Sequence, residues 1–319
     1  MTNPETTSYV VDNPPAPGTE QWLRTITASK VPTILGLSKW SSPYALWHTM
    51  AGNIPAEHLE GDHLDWGHII EPALVGWWAH CHPGWRFNPP RKRADGVKTT
   101  EIAYSDDSLP FPNLVTLDRR ATRGGRRPKF HIVECKTDRD RTRWGYPEDG
   151  DSVPADYLTQ VMFQMGVSGI HAADIVVQLG GSGVPEVHPV PFDPDMFANI
   201  VAACTAWHES LQTGVEPPLD DTTATYDAVR GLHPDIDRGE EVVIDPAAAA
   251  ELWATTQAEK DAKKAAKGAK TAVLHAMGNA QYAVTDTLGG TVKVADRRAN
   301  GHGSVSLYPA KPQPLDGEA

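Results

Sequence analysis

Two short segments, LVTLD (114–118) and FHIVECK (130–136), decide the fold prediction. Both are rich in aliphatic residues and have the length of β-strands, and a Gly-Gly pair between them indicates a turn. The next segment, DYLTQVMFQMGVS (156–168), has apolar residues at helical spacing, and DIVVQL (174–179) is typical of another strand. The order strand, strand, helix, strand predicts an α/β fold, with a mixed central sheet flanked by helices.

Polar side chains interrupt the second of these strands. Because side chains alternate along a strand, Glu134 and Lys136 project from one face and Cys135 from the other. Asp118 ends the preceding strand, and a hairpin between the two strands would bring it near Glu134. Two carboxylates and one ammonium group would then converge. A surface Glu–Lys pair on an edge strand is the simpler alternative, because the E-x-K pattern alone is common.

This set of side chains suits the hydrolysis of a phosphodiester. The carboxylate oxygens of Asp118 and Glu134 are hard ligands of the kind that Mg²⁺ prefers, and Mn²⁺ is possible. The main-chain carbonyl of Cys135 is a candidate further ligand. A bound divalent ion neutralises phosphate charge and acidifies water. Lys136 can orient or help deprotonate the water and stabilise developing negative charge.

The helix predicted over 156–168 adds a polar stripe beside its apolar one. Gln160 and Gln164 lie four residues apart, with Tyr157 on the same side. One interpretation is a solvated amphipathic face. The other is that Gln160 points at the end of the sheet and contacts the water or the phosphate.

Charge is distributed unevenly along the 319 residues. The net charge is −12, yet residues 86–143 hold fifteen Lys and Arg against eight Asp and Glu, a local balance of +7. A basic block inside an acidic chain favours a local phosphate-binding surface, and a solvated charged loop is the alternative.

Helices are predicted before the strands as well. Residues 29–36 are typical of a cap at Ser29 and a short helix, and Ser42-Pro43 opens a second helix that ends near Gly52. A third helix is expected over 63–80, where Pro72 can break or kink it. The whole chain is divided into a disordered arm (1–20), a core (21–213), a linker (214–245), a long helix with a β-hairpin (246–298) and a disordered tail (299–319).

The remaining composition excludes several classes of protein. No apolar run approaches the ~18 residues that span a bilayer, and the first 20 residues lack the pattern of a signal peptide. Three isolated cysteines predict neither a disulfide framework nor a structural zinc site. We therefore expect a cytoplasmic protein without a membrane partner.

Four blocks together resemble the YqaJ-like viral recombinase (lambda exonuclease) family of the PD-(D/E)XK nuclease superfamily. They occur in the order of that family and span about residues 22–180. The blocks are ITASKVPTILGLSKWSSPYALW (26–47), WGHIIE (66–71), LVTLD with IVECKT (114–118 and 132–137) and YLTQVMFQMGVSG (157–169). The chain departs from the superfamily pattern at Leu117, where proline is usual, and at Arg119, where glycine is frequent.

The resemblance implies a role for each matching residue. Asp118 and Glu134 match the metal-binding carboxylates and Lys136 the catalytic lysine. Glu71 matches an acidic residue on a helix beside the site, and Gln160 the helix glutamine.

Residues that contact DNA are implied or hypothesised in two places. Arg24 and Ser29 resemble residues that grip a phosphate near the 5′ end. The basic insertion between the two strands is hypothesised to track the DNA, through Arg119, Arg120, Arg123, Arg126 and Arg127, with Lys129 beside them.

The activity implied by the resemblance is 5′→3′ exonuclease action on double-stranded DNA ends. It leaves 3′ single-stranded tails for an annealing protein, and some members of the family form a trimeric ring around DNA. A structure-specific or site-specific endonuclease on the same core is an alternative. A non-catalytic DNA-binding module is another.

Overall fold

The chain is divided into two compact units. The structure, a computed structural model, describes residues 7–56, 61–93, 96–148, 152–180, 183–287, 289–299, 301 and 303–312. The first unit is Met1–Ile236 and the second is Asp237–Ala319. The boundary between them falls inside the segment 214–245 that we predicted as a linker.

The first unit contains eleven strands and seven helices among the described residues. Its strands are β1 (Ser8–Val11), β2 (Ile26–Thr27), β3 (Arg86–Phe87), β4 (Arg91–Lys92), β5 (Lys98–Thr99), β6 (Ile102–Asp106), β7 (Asn113–Leu117), β8 (Arg119–Arg123), β9 (Lys129–Asp138), β10 (Ala172–Leu179) and β11 (Glu186–Pro191). Its helices are α1 (Glu20–Leu23), α2 (Val31–Ile34), α3 (Pro43–Ala51), α4 (Asp62–Cys81), α5 (Ala155–Ser168), α6 (Pro194–Thr213) and α7 (Thr223–Leu232).

The second unit consists of one long helix and a three-stranded antiparallel sheet in the part that the structure describes. Its elements are α8 (Pro246–Met277), β12 (Tyr282–Thr287), β13 (Gly290–Ala299) and β14 (Val305–Pro309), and the strands lie in the order β12-β13-β14.

Two larger sheets form the first unit. One has the order β1-β6-β7-β2 and the other β11-β10-β9-β8-β3, and both combine parallel with antiparallel pairs. Strand β9 runs parallel to β10, and α5 connects the two. A parallel pair needs such a crossover, and a helix usually supplies it. The predicted order strand, helix, strand is thus confirmed here.

The five-stranded sheet is covered by helices on both faces. Ile132 and Ile175 lie in the large core cluster with Val161 of α5. Val133 and Val176, one residue along each strand, lie in a second cluster with residues of α4. Because alternate residues point to opposite faces, this division places the sheet between α4 and α5. The predicted mixed α/β fold with flanking helices is confirmed.

Helix α3 has the ends that the sequence predicted. The Ser42 hydroxyl accepts a hydrogen bond from the Ala45 amide at 3.1 Å, Pro43 occupies the first turn, and Gly52 ends the helix with a left-handed φ of 80°. The cap expected at Ser29 is absent, because α2 begins at Val31 without a side-chain cap.

Pro72 does not divide the third predicted helix, since α4 runs without interruption from Asp62 to Cys81. Leu74 and Trp78 on its C-terminal half are fully buried, and the Trp78 indole Nε1 donates to Asp174 Oδ2 at 2.6 Å. This anchoring outweighs the one backbone hydrogen bond that proline cannot donate.

Three segments that we predicted to lack structure contain regular elements. Residues 8–11 of the supposed arm form β1, which pairs antiparallel with β6. The predicted linker includes α7, whose Thr225 hydroxyl donates to Ser42 Oγ at 2.7 Å. Residues 305–309 of the supposed tail form β14 against β13. In each case contacts with a distant part of the chain order the segment. Residues 1–6 and 313–319 lie outside the described residues.

Gly166 on α5 allows a close contact with α6. A Cβ atom at this position would lie 2.1 Å from the ring of Phe197, so the ring would have to move. We expect Gly166→Ala to lower the free energy of unfolding by about 1–3 kcal/mol, as overpacked sites do. Urea denaturation measures this change. Gly76→Ala on α4 is the control, because nothing lies within 4 Å and alanine favours helix by about 0.5–1 kcal/mol. Equal effects of the two variants would contradict the packing argument.

Candidate functional site

The candidate site lies where the chain passes from one sheet to the other. Asp118 is the single residue between β7, in the four-stranded sheet, and β8, in the five-stranded sheet. Its Oδ2 accepts a hydrogen bond from the Cys135 amide of β9 at 2.8 Å. The strand that ends at Asp118 therefore does not form the hairpin that we predicted. Strand β8 pairs with β9 instead, and Asp118 still lies beside Glu134.

Glu134 is the most buried charged group of the site, with 2% of its surface exposed. Its Oε1 accepts hydrogen bonds from Lys136 Nζ at 2.7 Å and Gln160 Nε2 at 2.8 Å. Its Oε2 accepts one from Gln164 Nε2 at 2.9 Å. The period-two prediction that Glu134 and Lys136 share a face is consistent with this ion pair. Gln160 contacts Glu134 and so does not lie on a purely solvated helix face, which was the alternative interpretation.

Gln164 is a site residue that sequence reasoning did not select. It is buried, and its Nε2 also donates to the Thr116 carbonyl at 3.0 Å, so it links α5 to β7 as well as to Glu134. Its position four residues after Gln160 was the available signal, because residues at that spacing lie on the same helix face.

The electrostatics of the cluster are dominated by burial and by like charges. Burial raises the pKa of Asp118 well above its usual value, and the nearby charges of Glu134 and Glu71 raise it further. Burial opposes the charge of Lys136, yet the carboxylates of Glu134 and Asp118 outweigh it and raise its pKa. Burial also raises the pKa of the Cys135 thiol, which stays protonated. The cluster therefore holds a protonated lysine beside carboxylates that repel each other.

The donor set fits a divalent cation with oxygen ligands. In the described part of the chain, no three His, Cys, Asp or Glu side chains come together as a metal cluster. The carboxylates of Asp118 and Glu134 are close enough that the charge of Glu134 raises the pKa of Asp118. Mg²⁺ is commonly held by one or two carboxylates with several waters retained, so a smaller side-chain set suffices for it. Two carboxylates placed side by side at this junction would repel each other, and a bound cation would offset that repulsion.

Glu71 and Arg119 form an ion pair beside the cluster. Arg119 Nη1 lies 2.7 Å from Glu71 Oε1 on α4, and it donates to the Asp118 carbonyl at 2.6 Å. Both side chains are largely buried, at 12% and 19% exposed. Arg119 thus fixes the backbone at Asp118, which differs from the exposed phosphate-tracking position that we predicted for it.

The other predicted arginines fall into two groups. Arg120 is partly buried, donates to the Tyr104 hydroxyl at 2.6 Å and lies over the Phe130 ring at 4.8 Å. Three more are exposed on β8 and the turn that follows it, Arg123, Arg126 and Arg127. Among the five arginines of the basic insertion, these three have the accessibility that a phosphate contact needs.

Ser29 and Arg24 occupy different surroundings. Ser29 lines a cavity of about 230 Å³ together with Thr116 and Gln160, and its hydroxyl lies 3.0 Å from Thr27 Oγ1. Arg24 does not line this cavity and forms an exposed ion pair with Glu20 at 2.9 Å. The structure therefore brings Ser29 towards the cluster and leaves Arg24 apart from it.

The same cavity has lining residues that the sequence did not identify. Trp22 contributes an aromatic wall, and two arginines add positive charge, Arg91 and Arg93. Lys30 fixes the wall on the Ser29 side, since its ammonium donates to the carbonyls of Trp22, Leu23 and Thr25 at 2.6–3.0 Å. No pattern of spacing links these residues to Glu134. The pairing of β2 with β7 places the segment with Trp22 and Ser29 beside the site, and Arg91 lies on β4, which pairs with β5.

No helix in the described ranges has the length and apolarity that crossing a membrane requires.

Comparison with known proteins gives both family and structural likenesses. Residues 20–171 match the family described as YqaJ-like viral recombinase domain. The uncharacterized protein YqaJ of Bacillus subtilis (strain 168) is 22% identical over 223 residues, which cover 66% of this chain. The match spans 62% of the length of that curated relative.

Crystal structures of an alkaline exonuclease from Laribacter hongkongensis are similar over part of the chain. One has 17% sequence identity and a TM-score of 0.44 and covers 61% of this chain and 94% of the exonuclease. Its complex with dAMP has 14% identity, a TM-score of 0.41 and the same coverage.

The repulsion at Asp118 leads to a stability prediction. Asp118→Asn removes a charge that the fold disfavours and keeps an oxygen acceptor for the Cys135 amide. We expect it to raise the free energy of unfolding of the metal-free protein at pH 8 by about 1–2 kcal/mol. Because the folded pKa is raised, the native protein loses stability as pH rises through that pKa, and the advantage of asparagine grows over the same interval. Denaturant titrations in EDTA at several pH values measure it.

Asp156→Asn is the matched control for this prediction. Asp156 accepts two hydrogen bonds from Arg143 Nη2 at 2.7 and 2.6 Å, so the loss of its charge should lower stability. An Asp118→Asn protein no more stable than the native chain at every pH would contradict the argument.

Proposed function

We propose that the protein is a metal-dependent DNA exonuclease, and the match of residues 20–171 to the YqaJ-like viral recombinase domain family supports this. It degrades double-stranded DNA from its ends in the 5′→3′ direction and leaves 3′ single-stranded tails. Those tails serve phage-type homologous recombination in the cytoplasm of the host cell. The proposal includes a single-strand annealing protein as a partner and a homo-oligomer, such as a trimeric ring, as the working form.

The observation that carries the proposal is the convergence of Asp118, Glu134 and Lys136. Glu134 and Lys136, on one strand, form a hydrogen-bonded cluster with Gln160 and Gln164. Asp118, at the sheet junction, is held beside them by the amide of Cys135. Gln160 also lines the cavity of about 230 Å³. A buried acidic cluster, joined through Gln160 to a cavity with arginine in its wall, suits a phosphate substrate and its metal.

Asp118 and Glu134 are the side chains that would hold Mg²⁺, or Mn²⁺ in its place, and the Cys135 carbonyl is the proposed main-chain ligand. When bound, the ion neutralises phosphate charge and supplies water of lowered pKa. The Cys135 amide orients Asp118 through its hydrogen bond at 2.8 Å. The thiol of Cys135 takes no part, since burial keeps it protonated.

Lys136 acts as a fixed positive charge rather than as a base. Its pKa is raised by the carboxylates around it, so the ammonium stays protonated at the pH of a cell. An ammonium at this position stabilises negative charge that develops on the phosphate in the transition state. Its hydrogen bond to Glu134 also fixes its orientation before the substrate arrives.

The two glutamines position Glu134. Their amide nitrogens donate to different oxygens of the carboxylate, Gln160 to Oε1 and Gln164 to Oε2. Amide donors stabilise the ionised carboxylate without adding a competing charge. Glu134 is therefore held in one orientation by donors on both of its oxygens.

Contacts with the DNA backbone are proposed for the exposed basic turn and for Ser29. Arg123, Arg126 and Arg127 are exposed and can neutralise phosphates. Ser29 lines the cavity, where its hydroxyl can donate to a terminal phosphate. Arg24, Arg119 and Arg120 each already have a partner within the protein, so a phosphate would have to displace that partner.

The catalytic assignment predicts the loss of cleavage. Asp118→Ala, Glu134→Ala and Lys136→Ala should each reduce the rate of nucleotide release from linear duplex DNA by at least ~10²-fold with Mg²⁺ present. Binding of the same duplex in EDTA should change little, since these groups act on the scissile phosphate. Glu209→Ala on α6 is the control, because this glutamate is outside the cluster. Cleavage retained by either carboxylate variant would refute the mechanism.

Direction and class are tested with the same proteins. Duplexes labelled at the 5′ or the 3′ end, with 5′-phosphate or 5′-hydroxyl termini, should release label first from the 5′ end. A covalently closed or nicked circle should remain intact. Cutting of a circle would support the endonuclease alternative, and strong binding without any cleavage would support a non-catalytic DNA-binding module.

The exposed turn predicts a change in salt dependence. Replacing Arg123, Arg126 and Arg127 by Ala should reduce the slope of log K against log salt concentration by about 0.9 for each phosphate contact that is lost. Fluorescence anisotropy of a labelled duplex in EDTA measures the slope. Arg230→Ala, an exposed arginine on α7, should leave it unchanged. A slope that is the same in the triple variant would exclude these residues from the DNA contact.

A further inference from the structure

The sheet of the second unit exposes one face that carries aromatic and cationic side chains. Along β12, Tyr282, Val284 and Asp286 are exposed, and the residues between them are partly buried. Ala295 of β13 is buried on the opposite face. The sheet therefore has one covered face and one open face, as antiparallel sheets often do.

Two tyrosines lie in one row across the open face. Tyr282 pairs with Asp296, and Asp296 pairs with Tyr308, so the three side chains point to the same side. The rings stand on the two edge strands, about 10 Å apart as judged from the spacing of neighbouring strands. The tyrosines are 53% and 46% exposed. Large aromatic side chains exposed together on one sheet face are typical of a binding surface.

A cation is stacked on each tyrosine. Lys293 Nζ lies 4.9 Å from the centre of the Tyr282 ring, and the Arg298 guanidinium lies 4.9 Å from that of Tyr308. Asp296 holds both cations, with Lys293 Nζ at 2.6 Å from its Oδ2 and Arg298 Nε at 2.7 Å from its Oδ1. The carboxylate is nearly buried beneath them, so the open face presents two rings and two positive charges.

The charge of this part of the chain favours a polyanion. Residues 260–312 hold nine Lys and Arg against three Asp and Glu, a balance of +6 in a chain of net charge −12. Five of these lysines lie on exposed turns of α8, Lys260, Lys263, Lys264, Lys267 and Lys270. The second unit as a whole holds ten Lys and Arg against eleven Asp and Glu, so its positive charge is concentrated in this segment. A local basic segment of this kind is suited to nucleic acid.

We propose that the open face of the β12-β13-β14 sheet binds single-stranded DNA by stacking bases on Tyr282 and Tyr308, while Lys293, Arg298 and the α8 lysines contact phosphates. Aromatic rings and cations together form the usual platform for a single strand, whose bases are free to stack. A duplex keeps its bases paired and offers only phosphates to such a face. The choice of DNA rests on the proposed function, since a 3′ tail would be its product.

The test measures binding of a fluorescent 20-nucleotide poly(dT) to the full chain in EDTA, by anisotropy. The double variant Tyr282→Ala/Tyr308→Ala should raise the Kd roughly tenfold or more, and Tyr282→Phe/Tyr308→Phe should keep the native Kd, since phenylalanine retains the ring. Tyr226→Ala is the matched control. Tyr226 is 67% exposed and carries Arg230 at 5.8 Å, but it belongs to the first unit. An unchanged Kd in a folded double Ala variant would overturn the proposal.

A cation variant and two competing ligands complete the test. Arg298→Gln keeps both rings, so it should weaken poly(dT) binding and flatten its salt dependence even if the double Ala variant fails to fold; no effect of Arg298→Gln would count against the proposal. If the variants lost more affinity for duplex DNA or for poly(U) than for poly(dT), the choice of ligand would be overturned. Nuclease activity is assayed separately with Mg²⁺, so absent cleavage with tyrosine-dependent poly(dT) binding would refute the proposed function and leave this inference standing.

Discussion

The burial of the Glu134 carboxylate is the constraint on which the rest of the candidate site depends. Removing an ionised carboxylate from water is costly unless hydrogen bonds and an opposite charge replace the water. The fold supplies two amides from α5 and one ammonium from the same strand. Strand β9 and helix α5 must therefore keep their relative position, because a displacement of either would remove both amide donors from the buried carboxylate.

The carboxylate of Asp118 has no positively charged partner of its own among the described residues. It lies near Glu134 and Glu71, and one backbone amide is the donor that holds it. Lys136 is already shared with Glu134, and Arg119 is shared with Glu71. The site thus retains an excess of negative charge at the junction of the two sheets. An arrangement of this kind is favourable in a protein when a cation completes it.

Patterns of short range predicted much of the fold and of the site. Period-two alternation identified the shared face of Glu134 and Lys136, and helical spacing identified α5 with Gln160. The segment 119–123 has four polar residues among its five, and this composition predicts part of a turn. It forms β8 because pairing with β9 supplies its backbone hydrogen bonds, while Ala121 alone enters the core.

The positive charge of residues 119–127 could not show which of their arginines are buried and which are exposed. Arg119 and Arg120 lie against Glu71, Tyr104 and Phe130, whereas Arg123 and the turn after it face solvent. Their neighbours come from α4, β6 and β9, which are distant in sequence. The lining of the cavity was hidden for the same reason, since a contact between remote segments leaves no local period to detect.

The short parallel pairing of β2 with β7 has a consequence for how the molecule reaches its native state. Ile26 pairs with Asn113, so α2, α3 and α4 must be enclosed in the loop that this pairing closes. Closing so long a loop costs more entropy than the crossover from β9 to β10 through α5. Glu134, Lys136 and the two glutamines all lie within the compact β9-α5-β10 segment. We therefore expect their contacts to form before the wall that bears Ser29 joins them.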